Sequence, residues 1–240
     1  MPLADAAPHL FTIGNLRLRD DPADWNAVAS EIGVAPGNLR LLRQVHGASV
    51  AVARRGGASC WGAPEADIAI SDDPCVAIGV QVADCAPILL ADRRLGVVGA
   101  AHAGWRGTAQ CAAAVAVDGM RREFGSSPFD VIAAIGPCLG QCCGEVGEEV
   151  ADAFRRAGHP EPALSRWFSP GPRGRPMLDL PGANADQLHE AGVPRAQIHV
   201  AGLCTRTHAG LMHSYRASGA QAGRMAGIIR AAGAASRSST

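Results

Sequence analysis

Short apolar runs punctuate the chain at Leu10–Ile13, Val50–Ala53, Val76–Val82, Ile88–Ala91, Val97–Ala101, Val131–Ile135 and Ile198–Ala201. Runs of this length, bounded by turn residues, predict buried strands. Asp92-Arg93-Arg94 separates two of them and predicts a hairpin connection. Helical patterns interleave. Thr108–Phe124 is Ala-rich and opens on a Thr suited to an N-cap. Gly147–Ala157 carries Val150, Phe154 and Ala157 at helical spacing, and Asn184–Glu190 and Gln221–Ala232 also predict helices. Pro170-Gly171-Pro172-Arg173-Gly174 predicts a loop within Ser169–Pro176, a surface excursion rather than a linker. The alternation predicts one α/β domain with a mixed or antiparallel sheet over residues 1–240. Its core is expected at about 10–230. An Ala- and Ser-rich tail, about 233–240, is expected to fray.

Composition narrows the function. Hydrophobic residues make up 48% of the 240 positions, enough for a sizeable core, and charged residues only 18%. Basic and acidic residues balance at 22 each, without the basic excess of a dedicated nucleic-acid binder. No apolar run reaches the ~18 residues of a membrane span. Every basic residue is arginine, which excludes lysine Schiff-base chemistry and a Walker-type phosphate loop. The N-terminus shows no secretory pattern, so a cytoplasmic location and free thiols are expected for the eight cysteines.

The densest chemistry runs from Gln81 to Thr108. Asp84 interrupts an apolar stretch, where a carboxylate is costly unless paired or placed at a site. Cys85 and His102 stand at the ends of two strands joined by the expected hairpin. They could form a thiolate nucleophile with its base, or two ligands of a metal; taken singly, each is as readily a buried thiol or a structural histidine. Gly104-Trp105-Arg106-Gly107-Thr108 leads from a strand into a helix, whose free N–H groups, with Arg106, suit phosphate. His46, in Arg43-Gln44-Val45-His46-Gly47, would complete a three-ligand set with an open position, the pattern of a catalytic zinc site. The cysteines of Cys138–Cys143 match no zinc-ribbon or finger spacing. That segment is read as a loop lining the pocket, with Glu145 as a candidate acid or base.

Six segments occur together in one order: Gln44-Val45-His46-Gly47, Ala83-Asp84-Cys85-Ala86-Pro87, Ala101-His102-Ala103-Gly104-Trp105-Arg106-Gly107, Ile135-Gly136-Pro137-Cys138, Leu178-Asp179-Leu180 and Cys204-Thr205. In this the chain resembles the YfiH-type family, also called the laccase-domain or multicopper polyphenol oxidase family, the peptidoglycan editing factor family and, in animals, FAMIN. The resemblance covers about residues 10–230. It implies an α/β/β/α sandwich with mixed sheets, related to toxin deamidase domains that use a Cys-His pair. It implies zinc held by His46, Cys85 and His102, phosphorolysis of adenosine, inosine, guanosine and methylthioadenosine, and adenosine deamination. The older label implies copper-dependent phenol oxidation. Eight histidines without a His-x-His pair fit several coppers poorly, so zinc is the expected metal and copper the second candidate. Asp84 or Glu145 would move the proton in deamination. Arg43, Gln44, Arg106, Thr108, Cys138 and Arg216 are the candidate substrate and phosphate contacts. The expected partners are a nucleoside and phosphate, with no nucleic acid or membrane, and the chain is expected to be monomeric. Two rivals remain: a Cys-His hydrolase acting on an amide of a cell-wall precursor, and a partner-binding protein with structural zinc. The chain departs from the family at Gly144, where many members carry Tyr, at Met212-His213, where an aromatic pair is usual, and at Ala217-Ser218-Gly219, in place of Arg and Asp-Gly.

Overall fold

The computed structural model describes residues 3–57 and 61–232. Twelve strands and seven α-helices alternate along it: β1 (His9–Phe11), α1 (Pro22–Ile32), β2 (Leu39–Arg40), β3 (Val50–Ala53), β4 (Ile68–Ser71), β5 (Ala77–Val82), β6 (Ala86–Asp92), β7 (Val98–Ala103), α2 (Trp105–Ala109), α3 (Ala112–Phe124), β8 (Val131–Ile135), α4 (Glu148–Arg156), α5 (Glu161–Trp167), β9 (Phe168–Pro170), β10 (Pro176–Leu178), α6 (Leu180–Glu190), β11 (Ile198–Val200), α7 (Tyr215–Ser218) and β12 (Met225–Arg230). A six-stranded sheet, ordered β11-β8-β6-β7-β4-β3, packs against a four-stranded sheet, ordered β1-β12-β5-β2. Both mix parallel and antiparallel pairs.

The period of two along each strand separates the layers. On β6, Ile88 and Leu90 face a core shared with α3 and α6, while Leu89 and Ala91 face Ile78, Val80 and Ile229 of the other sheet. The outer face of the four-stranded sheet is covered by Val28 and Ile32 of α1. The order of layers is therefore α/β/β/α, a mixed α/β single domain. Ala112, Ala113 and Ala116 put small side chains between α3 and the sheet, so the helix packs close despite the scarcity of aromatics.

Most of the expected strands appear within a residue or two of their runs. The Asp92 hairpin is present, its carboxylate capping the N–H groups of Arg94 and Leu95. Residues 171–175 loop out at the tip of the β9–β10 ribbon. Three expectations change. Gln221–Ala232 is not a helix: Met225–Arg230 is β12, paired antiparallel to both β1 and β5. Its apolar run has no helical stripe, and Gly227 suits the close approach of Phe11 and Pro87. The Thr108–Phe124 helix is two helices, broken at Cys111, which adopts φ +59°. Thr108 lies buried inside α2 and caps nothing: its hydroxyl accepts from Asn184 and its carbonyl from Gln187, tying α2 to α6. The expected fraying tail lies outside the described residues. Among the described residues, no helix is long and apolar enough to cross a membrane, and the seven cysteines are all free.

Candidate active site

The β6–β7 hairpin sets the site. Pro87 pairs with His102 and Ala86 with Ala103. Cys85, one residue further out, shares the face of Pro87 and therefore of His102. That face looks into the space between the sheets, so both side chains stand at its open end. Gly104 lies opposite Cys85. A Cβ there would come within 2.9 Å of Cys85 Sγ and 3.3 Å of His46 Cδ2. The missing side chain is what leaves room for three donors to converge.

His46 comes from a segment far away in sequence, held at φ +62°. Its ring meets that of His102 edge-on, 4.8 Å between centroids. One ligating atom from each of His46, Cys85 and His102 lies within 4.8 Å of the others.

Asp67, which the sequence reading passed over, builds this arrangement. It is fully buried at the entry to β4. Three successive backbone N–H groups, from Val45, His46 and Gly47, donate to its carboxylate at 3.1, 2.9 and 2.7 Å. This nest fixes the unusual backbone at His46. The same carboxylate takes Nδ1 of His102 at 2.7 Å, which leaves Nε2 as the free ring nitrogen. The sequence signal was a lone Asp in Ala66-Asp67-Ile68-Ala69-Ile70.

The electrostatics follow. Burial pushes the Asp67 carboxyl up, but the His102 bond and the Gly47 and Val45 N–H groups outweigh it, so it lies below its ordinary range. Burial opposes charge on His102, yet Asp67 and Cys85 raise it to about 9. Burial opposes the Cys85 thiolate, yet bonds to His102 and His46 bring it down to about 6. Without a metal, Cys85 and His102 form a thiolate–imidazolium pair.

A cavity of about 530 Å³ opens over these groups, within the usual range for small-molecule sites. Leu42, Val82, Trp105, Leu139, Val146, Leu178 and Leu180 supply apolar walls, and Tyr215 stands at the wall while 55% exposed. Asp84, held at φ +84°, also lines it. Both its carboxylate oxygens are engaged: Thr205 Oγ1 donates at 2.6 Å and the Arg216 backbone N–H at 2.5 Å. Arg216 and Arg224 bring the guanidinium groups to the wall. Arg216 donates to the carbonyls of Cys143 and Glu145, and Arg224 to those of Ala222 and Gly223. Neither has a carboxylate salt-bridge partner among the described residues.

Of the other expected contacts, only Gln44 lines the cavity, its amide bonded at both ends to the backbone of Gln81. Arg43 is exposed and paired with Glu65, since alternation turns Leu42, Gln44 and His46 inward and Arg43 outward. Arg106 is exposed and stacks on Trp105 with Cζ 4.2 Å from the ring centre. Glu145 pairs with Arg173 between cavity-lining Gly144 and Val146. Thr108 is spent on Asn184. Cys138 is buried off the cavity, its thiol pushed up by burial. Arg224 was missed because its segment was read as helix. At Gly144 a Cβ would meet the Leu178 carbonyl at 2.3 Å, so β10 closes in at this position and leaves no room for a side chain.

The donors suit a metal. Two imidazoles and a thiolate, one histidine oriented by a buried carboxylate and the cradle kept clear by a glycine, fit a borderline-soft ion with an open position. Residues 17–232 match the family model described as multi-copper polyphenol oxidoreductase laccase. The chain is 38% identical over 244 aligned residues to a purine nucleoside phosphorylase of Deinococcus radiodurans, covering 93% of this chain and 89% of that protein. It is 36% identical to adenosine deaminase RL5 from an unknown prokaryotic organism, covering 85% and 79%. The crystal structure of Bacillus licheniformis YfiH superposes with a TM-score of 0.84 at 28% identity, covering 93% of this chain and 92% of that one. The shared fold and the length of these matches agree, and the chain belongs to the multi-copper polyphenol oxidoreductase laccase family.

Proposed function

We propose that the chain is a zinc-dependent purine nucleoside phosphorylase with adenosine deaminase activity, taking adenosine, inosine, guanosine and methylthioadenosine. One observation carries this reading: His46, Cys85 and His102 converge at an apolar-walled cavity whose cations are Arg216 and Arg224. The names of the Deinococcus protein and of RL5 point the same way.

His46, Cys85 and His102 would hold the ion, which supplies Lewis acidity when bound. Asp67 keeps His102 in the tautomer whose Nε2 is free. The leucine and valine walls take the purine and ribose and exclude water, and Tyr215 offers a ring face to the base. Arg224 and Arg216 hold phosphate as it bonds to C1′ and the C1′–N9 bond breaks, the electron pair leaving with the purine. Phosphate thus moves from the expected Arg43, Arg106 and Thr108 to the two wall arginines. Asp84 is the carboxylate lining the cavity among the described residues, and takes the proton-carrying role in deamination; Glu145, paired with Arg173, does not.

A second reading has its own observation. Cys85, His102 and Asp67 stand in the order nucleophile, base and orienting carboxylate. A metal-free chain could act on an amide of a cell-wall precursor. Copper-dependent phenol oxidation has less support, since the His46–Cys85–His102 group contains two histidines. The expected setting for the proposed enzyme is a cytoplasmic monomer, one domain with its core over about 10–230, acting on small molecules.

The test is metal content and product identity. The protein is purified without chelator and incubated with adenosine, with and without phosphate. One zinc in this site, with adenine and ribose 1-phosphate formed only with phosphate, supports the phosphorylase. Inosine alone supports the deaminase. Turnover of an amide that survives chelation supports the Cys-His reading and overturns the first.

A further inference from the structure

A second group of soft donors lies outside the cavity. The sulfurs of Cys142, Cys143 and Cys204 are all within 4.8 Å of one another, and those of Cys142 and Cys143 are 3.8 Å apart. Two thiolates bound to one tetrahedral ion at about 2.3 Å stand roughly 3.8 Å apart, far from the ~2.05 Å of a disulfide. The fold forces this gathering. Cys138 and Cys204 form a parallel bridge. The Cys138 N–H donates to Leu203 and the Thr205 N–H to the Cys138 carbonyl, at 3.3 and 3.0 Å. Gly140 lets the two segments close: a Cβ there would lie 3.2 Å from Cys204 Cβ and 3.6 Å from Cys142 Sγ. Arg206 Nη1 stands 3.9 Å from Cys143 Sγ, a cation where three thiolates would accumulate charge.

We propose that Cys142, Cys143 and Cys204 form a second metal site, a three-thiolate site for a soft d10 cation, Zn²⁺ or Cu⁺, distinct from the His46–Cys85–His102 group. Thiolate donors select such ions over hard ones. Cys142 is exposed, so the ion is reached from solvent. Each thiol gives up its proton to solvent as its sulfur bonds the metal, and no oxidant is consumed. The site is a staple. Cys204 precedes Thr205, whose hydroxyl holds Asp84, and the Cys143 carbonyl takes the Arg216 guanidinium. An ion on these sulfurs locks two stretches of the cavity wall together.

The test uses the full chain, reduced and stripped of metal, titrated with Cd²⁺ and read by the ultraviolet thiolate-to-metal charge-transfer band. The wild type is expected to take two equivalents. Cys85→Ala keeps the band of the three-thiolate site. The double variant Cys142→Ser/Cys143→Ser loses it, with the signal falling to about a quarter of wild type as one of four Cys–metal bonds remains, while circular dichroism shows the fold retained. Zn²⁺ or Cu⁺ should displace the cadmium from the Cys85→Ala variant. The proposal is overturned if the wild type takes one equivalent, if the double variant still takes two, if neither ion displaces cadmium, or if peptide mapping finds Cys142 and Cys204 disulfide-linked in the purified protein.

Discussion

Asp67 Oδ1 lies 2.7 Å from Nδ1 of His102, with the two side chains 0% and 3% exposed. The same carboxylate holds the backbone of His46. One acid therefore orients two of the three metal-ligand candidates, and its removal should act through both.

Asp67→Asn keeps the shape and removes the charge. Loss of such an orienting partner typically costs 10–100-fold in metal affinity, and that drop is expected in a competition titration. Asp67→Ala should also cost about 3–5 kcal/mol of stability, because it strands buried N–H groups and the His102 ring. Unchanged metal affinity in Asp67→Asn would falsify the orienting role.

Cys85 in the metal-free protein is expected to react with iodoacetamide along a curve with its midpoint near 6, far below the ordinary thiol value of 9.0. The sign for stability follows from the same shifts. The raised His102 contributes stability that is full below 6.5 and is lost as pH rises through about 9. The depressed Cys85 contributes stability that is full above 9 and is lost as pH falls through about 6. Between about 6.5 and 9 gain and loss offset, so melting temperature should be flat there, dip only slightly between about 6.5 and 6, and owe no further change to this pair below about 6. Zinc should protect Cys85 from alkylation. A midpoint above 8, mapped by mass spectrometry, would refute the pairing.

Gly104→Ala places a methyl where the three donors converge. The Gly104 backbone, φ −76° and ψ 176°, accepts alanine, so little fold stability should be lost. Metal affinity is expected to fall more than tenfold while melting temperature moves by a few degrees at most. Full metal content in this variant would mean the donors do not meet as described.

Arg224→Gln tests the phosphate assignment. Hydrogen bonds to charged groups contribute about 1.5–3 kcal/mol, which corresponds to a tenfold or greater rise in KM for phosphate. Adenosine deamination, which uses no phosphate, should be spared. A KM for phosphate equal to wild type moves the anion elsewhere.

What the sequence disclosed was what neighbours in sequence decide. Cys85 and His102 belong to one hairpin, and a turn signal at Asp92 was enough to bring them together. Arg224 stayed hidden because Met225–Arg230 is an apolar run without a discriminating period, and its partners β1 and β5 lie more than a hundred residues away. Asp67 was visible as a lone acid but not as a hub, since its four donors come from two stretches, 45–47 and His102, both distant from it in sequence. Arg106 and Thr108 failed for a local reason. The turn was read as an anion site, but the helix it opens buries Thr108 against Asn184 and turns Arg106 onto Trp105. The cysteine group escaped because Cys204 joins it from a distant bridge.

The cavity draws its walls from nearly the full span of the chain, from Leu42 to Arg224, while its reactive pair comes from one hairpin. During synthesis the hairpin leaves the ribosome long before Tyr215, Arg216 and Arg224. At ~5–20 residues per second the interval is on the order of ten seconds. For that time the Cys85 thiol has no closed pocket around it. Early metal capture by His46, Cys85 and His102, all present by then, would shield the nascent chain from alkylation and oxidation before it can bind any substrate.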